Sequence, residues 1–102
     1  MKLKNLKMKL LVYSAAWCGM CTALKNQFNN NPPKCEYVIK DCTDDNKDNA
    51  IWEAEQKGIR SLPCSILYSD DECTNEICRW FGVVKTSVIN TAIEVYESKY
   101  MV

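Results

Sequence analysis

The chain has 102 residues, 47% apolar and 25% charged, with 13 basic and 13 acidic side chains and no histidine. That length makes one domain over 1–102, since two halves would each be too small to hold a core, and the apolar content excludes a disordered chain. Zero net charge without a basic stripe argues against nucleic acid as a partner, and no run approaches the roughly 18 apolar residues of a membrane helix.

The lysine-rich start followed by Leu10, Leu11, Val12 and Tyr13 imitates a secretory signal. The apolar run is short for that role, and cleavage after Ala15 or Ala16 would discard the first strand. The chain is therefore expected to be soluble and cytoplasmic, with most of its seven cysteines kept as thiols rather than built into a disulfide scaffold.

Met8 to Ser14 is an apolar stretch of strand length. Cys21, Leu24 and Phe28 then fall at helical spacing until Asn29, Asn30, Asn31, Pro32 and Pro33 end the helix. A second strand spans Cys35 to Lys40, and the polar stretch Asp41 to Asn49 is a loop that offers an Asp or Asn cap to the next helix. Ala50, Ile51, Trp52 and Ala54 lie along that helix, and Gly58 sits where a left-handed C-terminal cap belongs. Cys64 to Ser69 and Glu76 to Phe81 read as an antiparallel hairpin around the tip Asp70 to Asn75. Gly82 ends it. The last helix is expected to take Thr86 or Ser87 as its cap, with one stripe of Val88, Ala92, Val95 and Lys99 and a second of Ile89, Ile93 and Tyr96. The order βαβαββα implies an α/β domain with a mixed four-stranded sheet and helices on both faces.

The sharpest chemical signal is Trp17-Cys18-Gly19-Met20-Cys21, placed where a strand ends and a helix begins. A helix N-terminus offers unpaired N–H groups and the positive end of the helix dipole, both of which favour a thiolate at Cys18. Cys21, one turn later on the same face, can attack a mixed disulfide formed by Cys18, and Gly19 and Met20 let the short ring close. Two other uses of the pattern stay open. Zinc would need a second pair, for which Cys73 and Cys78 are the nearest offer, and two cysteines on one helix could simply be packed.

The segment Ala16-Trp17-Cys18-Gly19-Met20-Cys21 resembles the thioredoxin active site, and Gly58-Ile59-Arg60-Ser61-Leu62-Pro63 resembles the approach to that family's cis-proline. Phe81-Gly82 is similar to the loop that completes its substrate groove. The likeness runs from Lys9 onward and implies a thioredoxin-like fold of trimmed, glutaredoxin-like architecture. It implies a dithiol–disulfide oxidoreductase that needs no cofactor, with Cys18 and Cys21 catalytic and Trp17, Gly19, Met20, Leu62, Pro63, Phe81 and Gly82 in contact with substrate. The partners it implies for this monomer are disulfide-containing proteins on one side and a thioredoxin reductase or glutathione on the other. Met20 departs from the family's usual proline, Val12 stands where thioredoxins usually bury an acid, and the Pro-Tyr pair and glutathione pattern of glutaredoxins are absent. The rival readings are a glutathione-recharged reductase and a non-catalytic binding subunit.

Among the remaining residues, Trp17 is expected to be exposed for contact, while Trp52 and Trp80 are expected to pack. Cys35, Cys42 and Cys64 read as buried or half-buried thiols, with Cys64 either beside the active pair or in the opposite layer according to strand alternation. Cys73 and Cys78 could bridge the hairpin, which a reducing compartment disfavours.

Overall fold

Lys9–Ser14 forms β1, and every residue after Lys9 is buried because the strand is covered on both faces. The computed structural model describes residues 7–43 and 49–100; the lysine-rich residues 2–6 and positions 44–48 of the expected polar loop lie outside them. From β1 the chain runs through α1 (Gly19–Asn30), β2 (Glu36–Asp41), α2 (Ala50–Gln56), β3 (Cys64–Tyr68), β4 (Glu76–Phe81) and α3 (Thr86–Tyr100). The strands lie in the order β2-β1-β3-β4, with β1 parallel to β2 and antiparallel to β3, and β4 antiparallel to β3. This is the mixed four-stranded sheet the sequence implies, with boundaries moved by a residue at three strands.

Period-two alternation divides the core into two layers. Leu10, Val12 and Leu67 face Leu24 and Phe28 of α1 and Ile89 and Ile93 of α3. Leu11, Tyr13, Cys64, Ile66 and Tyr68 face Ala50 and Ala54 of α2. The inner strands β1 and β3 are buried throughout, whereas the edge strands β2 and β4 are half-buried. Phe28 meets Tyr37 edge-on at 5.2 Å between ring centres, tying α1 to the β2 edge.

Local chemistry sets the helix ends. After α2, Gly58 takes φ 73°, the Gly58 N–H donates to Glu55 O and the Ile59 N–H to Ala54 O. That is the paired-bond C-terminal cap that glycine permits, and it turns the chain toward Pro63. Asn49 occupies the N-cap of α2 but lies at φ 52° and gives no side-chain cap bond, so the expected polar cap is not made.

Three expectations need correction. Trp52 is 61% exposed rather than packed, because the short α2 turns only Ala50 and Ala54 squarely onto the sheet. On α3 the buried stripe is Thr86, Ile89 and Ile93, while Val88 and Val95 face outward. Neither Thr86 nor Ser87 caps that helix. Thr86 is its first residue and donates its hydroxyl to Asn31 O at 2.8 Å. The cap comes from α1, since Gln27 Oε1 accepts the Thr86 N–H at 3.1 Å while Gln27 Nε2 donates to Val84 O at 2.7 Å. Trp80 does pack against the α1/α3 layer.

All seven cysteines are free thiols. Cys73 packs at the α2 layer and Cys78 at the opposite layer, so the sheet separates them and no hairpin disulfide can close without rebuilding β4. Cys64 is fully buried in the α2 layer, away from the face that carries α1.

Because one amide side chain joins α1, the 82–85 turn and α3, Gln27→Ala should lower stability by about 1–2 kcal/mol in urea unfolding. Ser87→Ala should change it by less than about 0.5 kcal/mol. The reverse order would place the cap where the sequence pattern first suggests it.

Candidate active site

β1 ends at Ser14, and the next residues are fixed from several sides before α1 begins. The Cys42 N–H donates to Ser14 O at 2.7 Å, the Ala16 N–H donates to Thr43 Oγ1 at 2.9 Å, and the Cys18 N–H donates to Ala15 O at 3.2 Å. Cys18 then occupies the N-cap of α1 in extended conformation (φ −100°, ψ 112°). Its sulfur does what a serine or aspartate oxygen does at other helix starts: it accepts the Cys21 N–H at 3.2 Å. The Cys18 thiol also reaches Leu62 O at 3.7 Å, which brings the segment before Pro63 against this sulfur. The Leu62–Pro63 peptide bond is cis.

The two thiols sit in opposite environments. Cys18 is partly exposed, and its pKa is lowered by the hydrogen bond from the Cys21 thiol, by the N–H groups of Cys21 and Met20, and by the charge of Lys25. Cys21 is fully buried, and burial first, then the hydrogen bond to Cys18, push it up to about 11. One sulfur is therefore prepared as a thiolate and the other is held as a thiol one turn deeper, the asymmetry that a nucleophile and a resolving group require.

Around Cys18 lies an apolar rim. Trp17 is 70% exposed, and Met20, Phe81 and Val83 are also largely open to solvent. The Gly82 N–H donates to Pro63 O at 2.9 Å, joining the loop after β4 to the proline segment. Gly82 itself has φ 84°, and a Cβ there would lie 3.1 Å from the Met20 methyl, so both the backbone and the close approach of Met20 select glycine. Gly19 has no such constraint, because a Cβ there would meet nothing. Trp17 and Leu62 continue into a cleft of about 320 Å³ whose other walls include Ile51, Ile59 and Cys42, with Arg60 at its border.

Each site residue expected from sequence thus has a place. Cys18 and Cys21 start α1, Trp17 and Met20 stand on either side of Cys18, Leu62 touches it, Pro63 is buried beside the Gly82 loop, and Phe81 stands exposed next to that loop. Sequence reasoning missed Val83, Ile51, Ile59 and Cys42. Val83 could have been found from its position directly after Phe81-Gly82, and Ile59 from its place in the Gly58–Pro63 segment; Ile51 and Cys42 come from separate elements and carry no local signal. Among the described residues no group of three or more cysteine, aspartate or glutamate side chains that could hold a metal ion converges. A larger hollow of about 460 Å³, walled by Trp52, Lys57 and Cys73, opens near Lys9 at the start of β1, the end of the strand remote from Cys18.

Several solved structures share this fold. Thioredoxin of Fasciola hepatica superposes with a TM-score of 0.67 at 18% identity, over 88% of this chain and 82% of its own. Thioredoxin-2, a component of the malaria parasite protein secretion machinery, gives 0.68 at 18% identity over 88% and 84%. The chain has the thioredoxin fold. A mutant thioredoxin from Halobacterium salinarum adds a TM-score of 0.66 at 21% identity, over 90% of this chain and 76% of its own. No protein-family model and no curated protein sequence matches the chain. In this thioredoxin fold, the Cys18–Cys21 pair sits at the α1 N-terminus with the cis-proline segment against it.

The thiol asymmetry has a direct readout. Iodoacetamide at pH 7 should label Cys18 far ahead of Cys21, with the Cys18 midpoint below the ordinary thiol value of 9.0 and Cys21 responding only as pH nears about 11. Site-resolved mass spectrometry checks it, and equal labelling would remove the assignment.

Proposed function

We propose that the chain is a thiol–disulfide oxidoreductase that reduces disulfides in other proteins. The observation that carries this reading is the N-cap thiol of Cys18, whose pKa is lowered by hydrogen bonds from the buried Cys21 thiol and from the Cys21 N–H. The Cys18 thiolate attacks one sulfur of a substrate disulfide, and the other sulfur leaves as a thiolate. Cys21 then attacks the Cys18 sulfur, forming the Cys18–Cys21 disulfide and releasing the second substrate thiol. The exchange runs through sulfur alone and calls for no cofactor.

The apolar rim supports a protein rather than a small charged thiol as substrate. Trp17, Met20, Phe81 and Val83 offer an extended surface to a polypeptide, and Leu62 and the Pro63 segment lie where its backbone would pass. A thioredoxin reductase fits the same surface as electron donor, and a reducing compartment such as the cytoplasm suits a chain in which all seven thiols are free. No helix among the described residues is long and apolar enough to cross a membrane.

Insulin reduction driven by a thioredoxin reductase, compared with glutathione as donor, tests the activity and its source of electrons. Cys18→Ser should bring turnover to background, while Cys21→Ser should accumulate a covalent mixed disulfide through Cys18, seen by mass as one added substrate chain. Faster turnover with glutathione would assign the site to a glutaredoxin-like cycle. Retention of activity by Cys18→Ser would end the reading.

A further inference from the structure

Two hydroxyls in the core have no hydrogen-bond partner among the described residues, Ser14 Oγ and Ser65 Oγ, and both residues are fully buried. Such groups are rare, because each costs the desolvation of a polar atom with nothing in return. Their placement is specific. Ser14 follows Leu10 and Val12 at alternate positions on the β1 face that carries α1, and Ser65 lies on the same face of β3, two residues before Leu67 and opposite to Cys64 and Ile66. Val12 is the cross-strand partner of Ser65, so Ser14 is its diagonal neighbour, about 7 Å away by sheet geometry. Cys21 belongs with Leu24 and Phe28 to the buried face of α1, the face that covers this layer of the sheet.

These two hydroxyls are unpartnered polar groups in an otherwise apolar layer. Buried water is held in such places by about three polar partners. We infer that Ser14 and Ser65 bind an internal water molecule beneath α1 whose remaining O–H is directed at Cys21 Sγ, making the two serines positioning residues for the resolving thiol. This rests on the oxidoreductase reading for its consequence, though not for the water site itself.

In the resolving step the Cys21 proton is lost to solvent base and the resulting thiolate attacks Cys18 Sγ. The Cys18–substrate S–S bond breaks, and the electron pair leaves on the substrate sulfur, which takes a proton from solvent. A water held by two hydroxyl donors stabilises the Cys21 anion at the moment it forms. Val12, Leu10 and Leu67 on the sheet and Leu24, Phe28, Ile89 and Ile93 on the helices are apolar. Ser65 pairs across the sheet with Trp80 and Ser14 with Asp41, whose carboxylate takes the Thr43 N–H, and the titratable or charged groups that act on Cys21 are Cys18 and Lys25 of the α1 end.

The test uses Ser14→Ala, Ser65→Ala and the double variant, each loaded at Cys18 with a coloured aromatic thiol whose release reports attack by Cys21. The double variant should release it about tenfold more slowly at pH 7, with the pH midpoint of release raised by about one unit. The initial loading of Cys18 should be unchanged. Each single variant should also lower the urea midpoint, because it strips a partner from the held water, and a high-resolution crystal structure of the parent should show ordered density within hydrogen-bond distance of both Oγ atoms. Unchanged release, or urea midpoints that rise as orphaned hydroxyls are removed, would overturn the inference. Failure of the parent to load at Cys18 would instead sink the oxidoreductase reading and with it the catalytic role, leaving the water site to stand or fall on the midpoints and the crystal structure.

Discussion

The hydrogen bond from the Cys21 N–H to Cys18 Sγ, 3.2 Å long, is the interaction on which the rest of the structure turns. It makes a thiol the cap of a helix, so the electrostatics that start α1 also lower the pKa of Cys18. The same turn carries Cys21 into the core, where burial keeps it protonated. A single helical step thus divides two chemically identical side chains into a partly exposed sulfur of lowered pKa and a buried thiol of raised pKa.

Everything around that turn serves to hold it in register. β1 is an inner strand covered on both faces, which leaves little freedom at Ser14, and the bonds from Cys42 and Thr43 pin the residues that follow. On the other side of Cys18, the glycine cap of α2 aims the chain toward Leu62 and Pro63, and the Pro63 carbonyl takes up the Gly82 N–H. The site is therefore assembled from four separated segments, each anchored by backbone hydrogen bonds to a strand end. The fold matches thioredoxins at 16–21% identity, because strand alternation and helix placement fix few individual side chains.

The parts of the molecule legible in the sequence are those governed by local rules. Strand alternation, the Asn-Pro stop after α1, the left-handed Gly58 and the hairpin tip are all written within a few residues of where they act, and all appear in the structure. What escaped was set by contacts across the chain. Gln27 caps a helix that begins 59 positions later, so no pattern near Thr86 or Ser87 could reveal it. On α3 two apolar stripes compete, and only the placement of the sheet decides that Ile89 and Ile93 go in while Val88 and Val95 stay out. At the site, Cys18, Cys21 and the residues flanking them were readable from motif and position. Ile51 and Cys42 were not, because their meeting with Trp17 and Leu62 is a property of how α2 docks.

The central claim is that Cys18 and Cys21, out of seven thiols, form one reversible dithiol–disulfide couple. Equilibration in a series of thiol–disulfide buffers, followed by acid quenching, alkylation and peptide mapping, measures it directly. These two thiols should disappear together in a single two-electron transition while Cys35, Cys42, Cys64, Cys73 and Cys78 remain alkylated. Oxidation of a different pair first, or loss of Cys18 without Cys21, would contradict it.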